Sequence, residues 1–188
     1  MAIETRHLVL WVIAEVEGRP NGRTYLQKMC FFVGRILALD LGYRAHHYGP
    51  YSDFVSAEIS FLVANGYAFE SAKRFGMADG HGWEIARRDY ELTERGKQGV
   101  LWLDGKHSEE ARQVRAAIER VKLAGDLNYV GLSFAAKTYW ILSHAGVPMT
   151  PERIRDKAKE LRWQVETKDI ASAADFLQRL NLATVAAQ

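Results

Sequence analysis

The chain has 188 residues, of which 48% are hydrophobic and 26% charged, and it carries 25 Lys and Arg against 23 Asp and Glu. This composition excludes an intrinsically disordered chain, and a formal net charge of +2 excludes a globally polybasic protein. The charge is uneven, because residues 1–94 contain 10 basic and 12 acidic side chains, whereas residues 95–188 contain 15 and 11. A polyanion site would have to be a local patch, favoured in the second half.

The start of the chain and its single cysteine bear on the compartment. Glu4 and Arg6 interrupt the apolar N-terminal residues, so no signal peptide is expected. No apolar run approaches the roughly 18 residues of a membrane span. Cys30 is the only cysteine and cannot form an internal disulfide. We therefore expect a cytoplasmic protein without membrane contact.

Two helices are predicted at the start of the chain. Residues 6–18 have apolar side chains at the 3–4 spacing of a helix. Residues 23–42 carry two apolar stripes rather than one, which is typical of a central helix packed on more than one side.

The stretch YRAHHYGPYSDF, residues 43–54, predicts a strand, a Gly-Pro turn and the start of a helix. Ser52 is placed to cap a helix over residues 53–65, in which Val55 and Ile59 belong to the buried stripe. The strand would then lead into the helix directly through this turn.

Two further strands are predicted over residues 67–75 and 83–93, joined by the loop GMADGHG, which has the glycines and aspartate of a β-hairpin. A change in the alternation of apolar side chains predicts a bulge or a bend near Arg87 and Arg88. Thr93 is placed to cap the next helix. This order of helices and strands predicts a winged helix-turn-helix with a β-hairpin wing.

The predicted fold class is α+β and mostly helical. We expect a winged-helix domain over residues 1–104, a connecting helix or dimerisation arm over residues 105–125, and a helical, helix-turn-helix-like domain over residues 126–188. In this last unit a helix capped by Ser133 would precede a helix that begins at Pro151, then a third helix and a short strand.

Three motifs carry a family resemblance: LQK in the second helix, HHYGPYS after it, and YELTERGK at the end of the hairpin. With them the chain resembles the uncharacterised YwgA-like proteins of bacteria and archaea, whose pattern is an LQK helix, a YGPYS-type strand and turn, and a Y-x-L-T-x-x-G strand end. AKELRWQV also resembles their C-terminal part. The resemblance covers roughly the whole chain. It implies a winged-helix fold, no settled activity and no catalytic residues.

Basic side chains indicate where nucleic acid would bind. The helix after the Gly-Pro turn has no Lys or Arg in residues 51–64, which counts against reading of the major groove by that helix. The predicted wing carries more basic side chains. A helix over residues 151–162 is also expected to carry three cations on one face. The candidate nucleic-acid contacts are Lys73, Arg74, Arg87, Arg88, Arg155, Lys159, Arg162, Lys168 and Arg179.

Each of these surfaces has a simpler interpretation. A charged hairpin edge protects against aggregation, and a mixed helix face is often only solvated. Tyr51, Ser52 and Ser56, at the start of their helix, are placed for a phosphate contact. The alternative there is that Tyr48 and Tyr51 brace the turn against the core.

The sequence contains no Gly-rich phosphate loop, no HExxH and no GxSxG. Cys30 lies in an apolar stripe, where a thiol is a poor nucleophile. His46 and His47 are adjacent in the predicted strand, so they would face opposite sides, one buried and one exposed, and could not chelate one ion together. We therefore predict no enzymatic activity, no metal site and no cofactor.

Our first functional hypothesis is a DNA-binding winged-helix protein, a homodimer on double-stranded DNA, acting as a transcriptional regulator or as an accessory factor of a mobile-element or defence system. The alternative is a protein–protein interaction module, an adaptor or an antitoxin-like subunit, that uses the fold without binding DNA. The near-neutral charge and the acidic helix after the turn favour this alternative. A third hypothesis is an enzyme subunit that binds nucleic acid without doing chemistry itself.

Overall fold

The computed structural model describes residues 3–18, 21–78, 84–125, 128–183 and 185, and for residues 72–78 and 84–87 it describes the backbone alone. Within these ranges the chain is mostly helical, with two small antiparallel sheets of two strands each. No helix in this part of the chain is long and apolar enough to cross a bilayer. The elements, in chain order, are α1 (Thr5–Glu15), α2 (Arg23–Ile36), β1 (Tyr43–Arg44), β2 (Tyr51–Ser52), α3 (Asp53–Ala64), β3 (Ala68–Ala78), β4 (Glu84–Leu92), α4 (Glu94–Lys106), α5 (Ser108–Ala124), α6 (Tyr129–Ala145), α7 (Pro151–Glu160) and α8 (Thr167–Arg179).

The first sheet is shorter than the sequence predicts. β1 pairs with β2 over only two residues on each strand, so the predicted strand over residues 43–48 ends at Arg44. The chain then closes a turn in which the backbone N–H of Gly49 donates to the carbonyl of His46 at 2.9 Å. Gly49 has φ +95°, a left-handed conformation that glycine adopts without steric cost.

The predicted hairpin is confirmed, because β3 and β4 pair in antiparallel register. A bulge near Arg87 and Arg88, the first of the two predicted alternatives, is wrong, whereas the bend stays a prediction. The ladder is regular as far as Arg74 and shifts between Arg74 and Ala78, whereas Arg87 and Arg88 are regularly paired. Gly76 lies in the shifted interval, and a glycine inside a strand often marks a bulge.

The core is built around α2, as its two apolar stripes predict. Residues 25–34 are all buried, and α2 packs against α1, α3, α5 and α6. The Phe31 ring lies 5.8 Å from the ring of Tyr139 in α6, and the Phe32 ring lies 5.2 Å from that of Phe176 in α8. Each buried ring contributes about 1.5–3 kcal/mol of hydrophobic stabilisation. The N-terminal and C-terminal parts of the chain therefore share one apolar core, across the domain boundaries that remain predictions.

The segment over residues 105–125 is an internal packing element. α4 ends at Lys106, and α5 buries Val114, Ile118 and Val121 on the side that contacts α1 and α2. The two sequence-based interpretations, a connecting helix and a dimerisation arm, both stay predictions.

Helix caps were predicted correctly where the capping side chain follows a strand. The side chains of Ser52 and Thr93 accept backbone N–H groups in the first turns of α3 and α4. The cap proposed at Ser133 is wrong, because Asn128 caps α6 one turn earlier. Ser133 lies inside α6, where its hydroxyl donates to the carbonyl of Tyr129 at 2.7 Å. The short strand predicted after the last helix is not found in residues 180–183.

Gly96, in the first turn of α4, marks a close approach between α4 and the segment before β3. A methyl group at Gly96 would overlap the backbone oxygen of Tyr67, whereas one at Gly105, in the same helix, would meet no atom within 4 Å. We expect Gly96→Ala to lower the free energy of unfolding by about 1–3 kcal/mol. Gly105→Ala should raise it by up to about 1 kcal/mol through helix propensity. Urea denaturation of both variants measures the difference, and equal effects would contradict the close approach.

Candidate functional site

In the structure, side chains of the LQK motif form hydrogen bonds with backbone groups of the YGPYS motif. The Gln27 amide donates to the carbonyl of Ser52 at 2.8 Å and accepts from its N–H at 3.1 Å. The ammonium of Lys28 donates to the carbonyl of Pro50 at 2.7 Å. These are buried hydrogen bonds between α2 and the chain that starts α3. They satisfy backbone groups that would otherwise be costly to bury.

The start of α3 is not available to a phosphate through Ser52. Its side chain is fully buried, donates to the carbonyl of Leu41 and accepts from the N–H of Val55. Tyr48 does not brace the turn against the core, because it is 63% exposed. Tyr51 is half-buried.

His46 and His47 are both exposed, so the expectation that one is buried is wrong. The physical reason is that the strand ends at Arg44, and the alternation of faces ends with it. The His46 ring lies 4.9 Å from the Tyr51 ring, and its carbonyl accepts from the indole N–H of Trp163 at 2.7 Å. The two histidines therefore belong to an exposed group of rings around the turn.

Two lysines are buried beneath this turn. Lys28 is 1% exposed, and burial, followed by the nearby charge of Lys137, lowers its pKa from 10.5 to about 7. Burial also lowers the pKa of Lys137. A methyl group at Gly49 would lie 3.0 Å from Cγ of Lys137, a tight contact, and 3.7 Å from Cε of Lys28, an ordinary one, while the φ of +95° is what favours glycine here. Sequence reasoning missed the pair, although each lysine interrupts an apolar helical run.

Cys30 is fully buried in α2, and burial raises its pKa to about 12. The thiol therefore stays protonated at neutral pH, and a protonated thiol is not a nucleophile. The predicted burial of Cys30 is confirmed, and its lack of reactivity stays a prediction.

A second network fixes the base of the hairpin. The Asn21 amide donates to the carbonyl of Tyr90 at 2.6 Å and accepts from its N–H at 2.8 Å. The Tyr90 hydroxyl donates to Glu70 and accepts from Arg23 at 3.1 Å. Burial, followed by the hydrogen bond to Glu70, raises the pKa of Tyr90 to about 12. Arg88, a predicted nucleic-acid contact, also binds Glu70 at 2.8 Å. The hairpin is thereby held against the start of α2.

The strand register gives the backbone positions of the other predicted hairpin contacts, Lys73, Arg74 and Arg87. Their side chains lie outside the described part of the structure. Lys73 is the register partner of Arg87, and Arg74 is that of Ala86. His81, in the loop, lies outside the described residues. Like charges at directly opposite positions of an antiparallel pair are destabilising in general.

Three of the four cations of α7 approach carboxylates of the same helix. Arg155 and Lys159 both approach the same Asp156 oxygen, at 3.5 and 3.6 Å. Lys157 binds Glu160 at 2.8 Å. Such exposed pairs stabilise the fold by about 1 kcal/mol or less. Because one carboxylate cannot neutralise two cations, the helix PERIRDKAKE keeps a net charge of +1, four cations against three carboxylates.

Arg162 is not on the helix face where the sequence placed it, because α7 ends at Glu160 and Arg162 adopts a left-handed φ of +56° in the next turn. Lys168 and Arg179 are exposed on α8, as predicted, and Arg179 donates to the carbonyl of Ala124 at 3.2 Å. Of the five C-terminal candidates, only Arg162 and Lys168 lack a carboxylate or carbonyl partner among the described residues.

The outward face of α3 is aromatic. Phe54 is 64% exposed and Phe61 36% exposed, with exposed Ala57 between them. The acidic residues Asp53 and Glu58 are each bound by an arginine from outside the helix, at 3.0 and 2.7 Å. This face therefore presents rings and little unpaired charge.

A pocket of about 280 Å³ lies beside this face, between α1, α3 and α4. Phe61, Tyr67 and Trp102 are among its lining residues, and Arg6 and His7 also line it. Trp102 is 63% exposed. Sequence reasoning missed the pocket, although the adjacent Leu101 and Trp102 were a signal, because a single buried stripe cannot cover two successive helical residues.

No protein-family model matches the chain, and no curated protein matches it. The resemblance to YwgA-like proteins therefore stays a prediction from motifs, and the functional argument depends on the geometry described above.

The buried ammonium of Lys28 predicts a specific dependence of stability on pH. Its pKa falls from 10.5 to about 7 on folding, so between these values the unfolded chain binds the proton that the folded chain has lost. The free energy of unfolding should rise from pH 7 to about pH 9, with a slope that approaches about 1.4 kcal/mol per pH unit. Lys137 contributes with the same sign. Thiols of the unfolded chain ionise at about pH 8.5 and phenols at about pH 10, whereas the buried Cys30 stays protonated, so Cys30 opposes the rise increasingly as the pH approaches about 9.

Urea denaturation at several pH values measures this slope. Lys28→Met should remove most of it, whereas Lys106→Met, which changes an exposed lysine of α4, should preserve it. A slope unchanged in Lys28→Met would show that another group carries the pH dependence.

Proposed function

We propose that residues 1–104 form a winged-helix domain whose third helix, α3, binds a protein partner. The order α1, α2, α3 and then the β3–β4 hairpin supports the winged-helix assignment. α3 stands where a DNA-binding member of that fold carries its recognition helix. Fold alone does not decide the ligand, so the argument for a protein partner comes from the surface of α3.

The single observation that carries this proposal is the aromatic outward face of α3. A helix that reads the major groove presents Arg, Lys, Asn or Gln to base edges, and α3 has none of these side chains. Phe54, Ala57 and Phe61 instead follow the spacing by which an amphipathic helix anchors itself in an apolar groove. Exposed aromatic residues with little net charge are characteristic of the centre of protein interfaces.

The neighbouring elements extend this surface. Phe61 belongs both to the face of α3 and to the pocket that Trp102 of α4 lines. Leu101 is also exposed on α4, at 71%. A cluster of exposed aromatic and aliphatic side chains on adjacent elements is typical of an interaction site. The two networks that hold α3 and the hairpin against α2 would present it to a partner in one fixed arrangement.

Site-specific photo-crosslinking tests the proposal. A photoreactive amino acid at Ala57, on the outward face of α3, should give a discrete protein adduct in cells of the source organism. Phe54→Ser, which removes an exposed anchor without emptying the core, should reduce that adduct by about tenfold, corresponding to about 1.4 kcal/mol at an interface anchor. The matched control is the same probe at Ala171, an exposed alanine of α8. Equal protein adducts at both positions, or adducts insensitive to Phe54→Ser, would contradict the proposal.

A second candidate function is contact with double-stranded DNA through the hairpin, in a dimeric regulator or accessory factor. The observation that favours it is the facing register of Lys73 and Arg87. Phosphate oxygens would neutralise the repulsion between these two cations, and contacts of this kind position a protein on a duplex without specifying sequence. α3 would then make no base contacts of the usual polar kind.

Binding to a random duplex over a salt series tests this second candidate. The double variant Lys73→Gln/Arg87→Gln should reduce the slope of log affinity against log salt by about 2, because each phosphate contact contributes about 0.9. The control Lys97→Gln/Arg112→Gln removes two exposed cations that are paired with Glu94 and Glu109 and should leave the slope unchanged. No binding at low salt would remove the DNA hypothesis.

A further inference from the structure

The pocket beside α3 has the dimensions of a receptor for one large side chain. Its volume of about 280 Å³ is at or below the lower limit of the roughly 300–1,000 Å³ typical of small-molecule sites. Leucines from α1, α3 and α4 contribute to its lining, together with the rings of Phe61, Tyr67 and Trp102. An aromatic side chain can pack edge-to-face or offset against such rings, for about 0.5–1.5 kcal/mol per pair beyond the burial of its area.

One cation beside the pocket is already neutralised. Arg6 binds Glu58 at 2.7 Å and lies 3.7 Å above the ring of Phe61. His7 adds no charge at neutral pH, because burial lowers its pKa below the ordinary 6.5. Neither side chain therefore demands an anionic partner.

Arg95 is different. Its guanidinium carbon lies 4.5 Å from the centre of the Tyr67 ring, and it donates to the Tyr67 hydroxyl at 3.5 Å. It is exposed, and among the described residues no carboxylate forms an ion pair with it. Arg95, Gly99 and Trp102 follow the i, i+4, i+7 spacing of one face of α4. Arg95 does not line the pocket itself, but its positive charge lies over Tyr67, which does.

We propose that this pocket receives an aromatic side chain of the protein partner, from a segment in which an Asp or Glu lies directly beside the aromatic residue. The ring fills the space between Phe61 and Trp102, and the carboxylate pairs with Arg95. This inference rests on the proposed function, because the partner would engage α3 at the same time through Phe61. It specifies the chemistry of the partner segment, which the face of α3 alone does not.

Titration of the full-length, ¹⁵N-labelled protein with three dipeptides tests the inference. Acetyl-Asp-Trp-amide, acetyl-Asn-Trp-amide and acetyl-Lys-Trp-amide share the ring and differ in charge. The indole N–H of Trp102 and the amide of Gly99 should shift with all three. The acidic dipeptide should bind about 2- to 5-fold more tightly than the neutral one, which is the effect of one exposed ion pair, and the basic one should bind most weakly.

Two variants test which side chain determines the charge preference and which determines binding of the ring. Arg95→Gln keeps a long polar side chain, so it should preserve binding of the ring and remove the difference between the acidic and neutral dipeptides. Trp102→Ala should weaken all three, with Gly99 as the reporter. Arg153→Gln, at an exposed arginine of α7, is the control and should change neither affinity nor preference.

Several results would overturn the inference. These are shifts confined to another part of the protein, equal affinity for the three dipeptides in the wild type, or a charge preference that survives Arg95→Gln. Tighter binding of free 3-indoleacetate than of acetyl-Asp-Trp-amide would also overturn it, because the site would then favour a small aromatic acid over a peptide.

The two proposals fail separately. A specific Ala57 adduct without dipeptide binding would overturn the pocket assignment and leave the α3 interface standing. Dipeptide binding without that adduct would overturn the α3 interface while the pocket assignment held.

Discussion

The arrangement of this protein depends on the hydrogen bonds by which α2 holds the turn before α3. Gln27 binds both backbone groups of Ser52, and Lys28 binds the carbonyl of Pro50. Each bond contributes only about 1 kcal/mol net, but an unpaired buried group would cost about 1–3 kcal/mol. Since Ser52 also caps α3, the direction of α3 is set by the central helix rather than by the turn alone.

Helix α2 also forms hydrogen bonds with side chains further along α3. Arg23, at the start of α2, donates to Ser56 and Ser60 of α3 and to Tyr90 of the hairpin. The rings on the outward face of α3 are therefore carried by an element fixed at several points, which lowers the entropic cost of binding. Of the cations suggested by the sequence, Arg88 is paired with Glu70, and Arg155 and Lys159 share Asp156. Helix α3 itself carries no Lys or Arg, and this is the physical reason why our proposal favours a protein partner over DNA.

Local chemistry explains what could be predicted from the sequence. The two apolar stripes of residues 23–42 identify the central helix, because only a helix buried on several sides carries both. Ser52 and Thr93 identify the starts of α3 and α4, because capping is decided within a few residues. The loop glycines and the alternation of β3 and β4 identify the hairpin for the same reason, although the bulge was misplaced.

Tertiary structure decided the features that join distant parts of the chain. The sequence by itself determined the mostly helical α+β class, the central helix and the hairpin, since their signals repeat along short stretches. It did not determine that Lys28 and Lys137 converge on Gly49, or that Trp102 of α4 closes a pocket against Phe61 of α3. These contacts join residues tens of positions apart, and helix periodicity shows which face is buried but not which element covers it.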